Sequence, residues 1–87
     1  MPSTEQKALN QMLDEVQDEA TFIVFLDALM MDKVHSEHEW QNDTIELFLD
    51  CAHAWASASI NGLPEYKKPD NVWKRCAEIL YMGKIYE

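Results

Sequence analysis

The sequence predicts an all-α fold: a compact single-domain bundle of about four helices around a central apolar helix at about residues 43–60. Three observations predict it. Apolar residues recur at three- and four-residue intervals through most of the chain, the spacing that places them on one face of a helix. Only two glycines and three prolines interrupt 87 residues rich in Ala, Leu, Met, Glu, Gln and Lys, which favours helix over a turn-rich β fold. Hydrophobic content of 47%, with three each of Trp, Tyr and Phe, is ample for one packed core, and residues 1–87 leave no room for a second.

The first helix, roughly 4–17, opens on Ser3-Thr4-Glu5-Gln6, which has the form of a capping box, and carries Ala8, Leu9, Met12, Leu13 and Val16 as one stripe. Asp18 can cap a second helix that turns Phe22, Ile23, Phe25, Leu26, Leu29 and Met30 inward and ends near Lys33. Residues 34–42 are polar, lack periodicity and read as a loop. Asn42 or Asp43 then caps the third helix, with Glu46 placed to reach back from its first turn. One stripe of this helix is Ile45, Phe48, Leu49, Ala52, Trp55, Ala56 and Ile60; a second is Leu47, Cys51, Ala54 and Ala58. A helix apolar nearly all round is usually central, so this one is expected to be the spine. Asn61-Gly62-Leu63-Pro64 reads as its stop: a left-handed residue, a hydrophobic contact, then a proline. Asp70 caps the fourth helix, whose Val72, Trp73, Cys76, Ile79 and Leu80 face the core and which Gly83 ends; Tyr81 and Ile85 fall off that stripe.

The net charge of −9 is unevenly spread. Residues 1–50 hold twelve Asp and Glu against Lys7 and Lys33, a balance of −10, whereas residues 51–87 hold four acids against five bases, a balance of +1. The acidic half would repel a phosphate backbone, so no nucleic-acid partner is expected, and it would attract a basic protein. Solubility alone is the plainer reading of the same charge. The longest uninterrupted apolar stretch, FIVFL, is far short of the ~20 residues needed to span a bilayer, and MPSTEQKALN holds no apolar signal core. Cys51 and Cys76 fall inside helical patterns and read as small buried hydrophobes, so a soluble protein of a reducing cytoplasm, without a membrane partner, is expected.

Three stretches could carry chemistry. His35 and His38 lie among Glu37 and Glu39, and His53 could approach them, which makes a metal site conceivable. Zinc, however, needs three or four converging ligands, and helical signatures place the histidines four apart, unlike HSEH. Two exposed histidines among acids is the plainer reading. His53 follows Asp50 by three residues, yet no serine or cysteine stands ready as a nucleophile, and an edge histidine bonded to Asp50 explains the pair. Finally, YKKPDNVWKR gathers four of the seven bases with Tyr66 and Trp73, a pattern seen in single-strand binding, but also a patch that simply balances the acidic half. No catalytic residue, metal ligand or cofactor is therefore assigned.

The stretch Trp40-Gln41-Asn42, then Thr44-Ile45, Phe48-Leu49 and Trp55, resembles the central signature of a family of small acidic bacterial proteins of unknown function, W-[EQ]-N-x-[TD]-[LI]-x-x-F-L followed by a further Trp. The likeness extends to Phe22, Phe25, Leu26, Trp73, Ile79-Leu80 and Tyr86-Glu87, so it covers about residues 18–87. Gln41, where an acid is commoner, and Cys51, in place of an acid or small residue, depart from it. The resemblance implies an all-helical fold and no established activity.

The function expected is therefore a non-enzymatic module that docks a basic protein, as an inhibitor or immunity-type protein would. Its binding residues would be Asp14, Glu15, Asp18, Glu19, Asp27, Glu37 and Glu39, with Val24 and Met31 as apolar anchors on the outer side of the second helix unless the first helix covers them. The alternative is a self-associating homodimer whose acidic and basic faces pair across a two-fold axis. A metal protein using His35, His38 and His53 is the remote third reading.

Overall fold

The computed structural model describes residues 8–86, and the expected all-α architecture is what it holds: α1 (Leu9–Asp14), α2 (Glu19–His35), α3 (Ile45–Ala58) and α4 (Val72–Ile85), with one 3-10 turn at Glu37–Glu39. The capping box expected at Ser3-Thr4-Glu5-Gln6 lies outside the described residues.

Local chemistry sets where the helices begin. The Asp18 carboxylate accepts from the Thr21 amide at 2.9 Å while the Thr21 hydroxyl accepts from the Asp18 amide at 3.0 Å, a reciprocal box that fixes the start of α2. The caps of α3 and α4 each sit one or two residues later than expected. Thr44, not Asn42 or Asp43, accepts from the Leu47 amide, and Asn71, not Asp70, accepts from the Lys74 amide. Asn71 is favoured because its amide also donates to Gln17 O at 2.7 Å, tying the start of α4 to the corner between α1 and α2. Lys74 strengthens the tie by donating to Asp14 O, at the end of α1, at 2.8 Å.

The centre of the bundle is α4, which packs against α1, α2 and α3, whereas α3 packs on α4 alone. No Cα of α2 lies within 8 Å of one in α3. The spine expected of the third helix is thus the fourth, and the apolar circumference of α3 has another meaning: Phe48, Ala52 and Trp55 turn toward α4, but Ile45, Leu47 and Leu49 are exposed, as is Ile60 just past its end. Val16, Phe25, Leu29 and Ala77 form the buried core, ringed by Leu9, Met12, Leu13, Phe22, Trp40, Phe48, Leu80 and Tyr81. Tyr81 therefore belongs to the core, while Val72 and Cys76 face outward and Trp73, its ring tilted against Phe22 at 5.4 Å between centroids, is only partly covered. Cys51 is half-buried, so neither cysteine is the buried hydrophobe expected.

Gly83 does not end α4; it lies within its last turn, where a Cβ would come 2.8 Å from the Phe48 ring and 3.0 Å from Phe48 O. The glycine is there because α3 and α4 touch at that point. The left-handed glycine is Gly62 (φ +85°), three residues beyond the Ser59 C-cap of α3, in the turn closed by a bridge between Leu63 and Tyr66.

Two polar clusters hold the bundle. At the end of α4, the loop 40–42 supplies donors to carbonyls that the helix itself leaves unpaired: the Gln41 and Asn42 amides reach Lys84 O at 3.1 and 3.3 Å, and the Asn42 side chain reaches Gly83 O and Tyr86 O at 3.0 and 2.8 Å. This occupation keeps Asn42 from capping α3. Beside it, Asp32 accepts from the Trp40 indole at 2.8 Å and from the buried Lys84 ammonium at 2.7 Å. Near the start of α4, Arg75 lies over the Trp55 ring at 5.1 Å and donates to Ser59 Oγ (2.9 Å), Tyr66 Oη (3.2 Å) and Ala56 O (3.0 Å). The Tyr66 hydroxyl in turn donates to Glu78.

Gly83→Ala is expected to lower stability by about 1–3 kcal/mol in urea unfolding, although glycine-to-alanine within a helix ordinarily stabilises; an unchanged or higher midpoint would mean that Phe48 yields. A second expectation concerns alkali. Burial, and then the bond to Glu78, raise the Tyr66 phenol above its usual value against the opposing pull of Arg75. The folded state thus favours the protonated phenol. That contribution is whole below about pH 10 and is lost as pH rises through the raised value. Stability of the wild type should fall more steeply above about pH 10 than that of Tyr66→Phe, and parallel curves would show that Tyr66 does not carry the decline.

Candidate functional site

Because α2 and α3 lean on α4 without meeting, a groove of about 500 Å³ opens between them. Leu26, Leu29, Met30 and Val34 of α2 form one wall, Ile45 and Phe48 of α3 the other, and Leu80 of α4 and Trp40 also line the space. Leu26, Met30 and Val34 succeed one another at intervals of four, so they share one flank of α2. Val34 and Ile45, on opposite walls, are 67% and 65% exposed, values that leave most of each side chain for another molecule. Trp40 is held in place from several sides: its ring stacks on Phe48 at 5.9 Å, its indole nitrogen is bonded to Asp32, and the Lys33 and Lys84 ammonium groups lie 5.9 and 5.8 Å from it.

The polar groups at the groove mostly serve the fold. Asn42 is engaged with the end of α4, Thr44 caps α3, and Lys33 pairs with Glu37 at 3.0 Å. Asp43 stands exposed at the groove with no ion pair among the described residues. On α2, Glu19 shares the register of Ile23, Leu26 and Met30 but stands two turns before the groove begins, and Asp27 stands between Val34 on the groove side and Val24 and Met31 on the back. Glu46 is exposed in the first turn of α3.

The residues expected from the sequence to bind a partner spread over several places. Val24 and Met31 are exposed, so α1 leaves them uncovered; with α1 packed elsewhere on α2, they occupy the back of that helix, away from the groove. Asp27 lies between the two faces. Asp14 and Glu15 close α1, and Asp18 is the cap of α2, its carboxyl held below the usual value chiefly by the Thr21 amide and then by the Thr21 hydroxyl. Glu39 lies 3.7 Å from the exposed His38.

The histidines belong to different elements: His35 ends α2, His38 lies in the 3-10 turn and His53 is exposed on α3 without a hydrogen bond to Asp50 among the described residues. Among the described residues no three His, Cys, Asp or Glu converge as ligands. In the basic stretch, Lys68 donates to Ile60 O, Lys74 to Asp14 O, and Arg75 is enclosed by its cluster. Among the described residues no helix is long and apolar enough to cross a membrane.

Sequence reasoning missed the groove because it assigned Leu26, Met30, Ile45 and Leu49 to the core. A signal for it exists. On α2 apolar residues stand at positions 22 to 26, 28 to 31 and 34, more than a buried face of one helix can hold, so some had to face outward.

No curated protein and no solved structure matches this chain. A family of unknown function does match over residues 18–87, a span that contains every residue lining the groove and excludes α1. The chain is a member of that family, DUF7660, whose function is unknown.

Proposed function

We propose that this protein is a non-enzymatic, cytoplasmic protein-interaction module that docks a basic protein, in the manner of an inhibitor or immunity-type protein. The observation that supports the reading best is the apolar groove between α2 and α3, open to solvent, with Asp43 in its lining and Asp27 flanking it on α2. Contiguous exposed apolar surface rimmed by polar residues is the usual mark of a protein partner site. The acids expected at the partner site enter as the steering field, and Asp27 joins that field to the groove itself. Homodimerisation remains the alternative because Val24 and Met31 leave a second apolar face on the back of α2. A charge of −9 on each copy works against it.

Met30→Gln combined with Val34→Gln tests this reading, since both side chains are exposed and the change should alter urea stability by no more than about 0.5 kcal/mol. In pull-downs from the native host, the wild type is expected to retain one basic protein in stoichiometric amount at low salt and to release it at high salt, because exposed charge is screened over ~10 Å at 0.1 M. The double variant should retain none. Equal retention by the two proteins, or retention indifferent to salt, would overturn the proposal.

A further inference from the structure

We infer that the groove takes an amphipathic helix from the partner, about three turns long, with aliphatic residues on one face and Lys or Arg along its flanks; the inference rests on the reading of the groove as a docking site. The walls decide the secondary structure of the guest. Both are helices, whose backbone amides and carbonyls between the ends are paired within their own turns, so they offer no free edge to which an extended strand could add. What they offer is side chains. Leu26, Met30 and Val34 form a ridge at four-residue spacing, facing Ile45 and Phe48 across the gap. Such a ridge meshes with side chains that recur every three or four residues on another helix. A guest lying over α4, between α2 and α3, would supply the member that the bundle lacks at this position.

Length follows from the same ridge. From Leu26 to Val34 is eight residues, a rise of about 12 Å at 1.5 Å each, which slightly exceeds two turns and which three turns overlap. Three aliphatic anchors at i, i+4 and i+7 then fall within the groove.

Charge decides the guest's identity. Asp43 lines the groove, Asp27 flanks Val34 on α2, and the whole chain carries a net charge of −9. Among the described residues Lys33 is the one base lining the groove, and Glu37 holds its ammonium at 3.0 Å. A second copy would bring the same acids against these acids, at a cost that the flanking bases of a cationic helix turn into attraction. The occupant is therefore a basic helix of another protein rather than this chain again.

Three synthetic peptides of about 14 residues test the inference against the full chain. The first carries leucines at i, i+4 and i+7 with lysines on the flanks; the second replaces every lysine by glutamate; the third keeps the lysines and scrambles the leucines. Binding is followed by fluorescence anisotropy, by amide shifts of the isotope-labelled protein, and by the circular dichroism of the peptide. The lysine peptide is expected to gain helicity, to shift amides of residues 26–34 and 43–48, and to bind at least about tenfold more tightly than either of the others, with the advantage over the glutamate peptide shrinking as salt rises past about 0.1 M. Equal binding of the lysine and glutamate peptides in the groove would overturn the basic partner and leave the docking site standing. Equal binding of the scrambled peptide, or shifts elsewhere, would overturn the helical guest. No binding by any peptide, with a dimer in sedimentation that Met30→Gln dissociates, would replace the guest by a second copy. No binding by a protein that stays monomeric would overturn both the inference and the reading beneath it.

Discussion

The fold depends on how the C-terminal turn of α4 is closed. A helix ends with carbonyls that its own backbone cannot pair, and here the loop between α2 and α3 supplies the donors, with the Gln41 and Asn42 amides and the Asn42 side chain meeting the carbonyls of Gly83, Lys84 and Tyr86. The closure brings three elements together. Trp40 precedes those donors and is bonded to Asp32 of α2, while Lys84 of α4 reaches the same carboxylate. Asp32 thus balances a buried ammonium and anchors an indole at once, and loss of that carboxylate would leave both groups without their partner. Only with this corner fixed can α2 and α3 both rest on α4 while remaining apart from one another.

The same corner explains why Trp40-Gln41-Asn42 stands out in the sequence. Its aromatic, its side-chain amide and its backbone donors each have a separate task in holding α4, and none of these tasks is catalytic. The neighbouring histidines, conspicuous beside it, belong to no metal-holding cluster among the described residues. The opposite end of α4 has an independent lock in Arg75, Tyr66 and Glu78, which engages and partly covers the most prominent base of the 66–75 stretch. A sequence patch of one sign therefore overstates the charge that the folded protein displays.

Much of the architecture was legible in the sequence. Helical class, the Asp18 cap and the inward residues Phe25, Leu29, Phe48, Ala52 and Trp55 follow from local periodicity and capping chemistry, which do not depend on distant contacts. What was not legible depended on tertiary pairing. Asn42 is a good helix cap by type, but the carbonyls of α4, forty-odd residues away, claim its side chain. Gly83 looks like a helix end until the Phe48 ring is placed against it. Leu26, Met30 and Ile45 look like core because periodicity reports a face and not whether anything covers it. The groove was hidden for that reason: its lining is written in the same residues as a core, and only the missing contact between α2 and α3 reveals it.

That missing contact also sets where the molecule is tight. The core runs through the seam between α4 and the α1–α2 pair, where Val16, Phe25 and Leu29 meet Ala77, and the Trp40 corner closes one end of it. These helices cannot part without losing the core, so amide hydrogens along that seam exchange with the slowest class, through global unfolding. Any molecule seated in the groove binds the folded state alone and suppresses unfolding by mass action. Occupancy of the groove and rigidity of the whole bundle are in that sense a single equilibrium, observed from two ends.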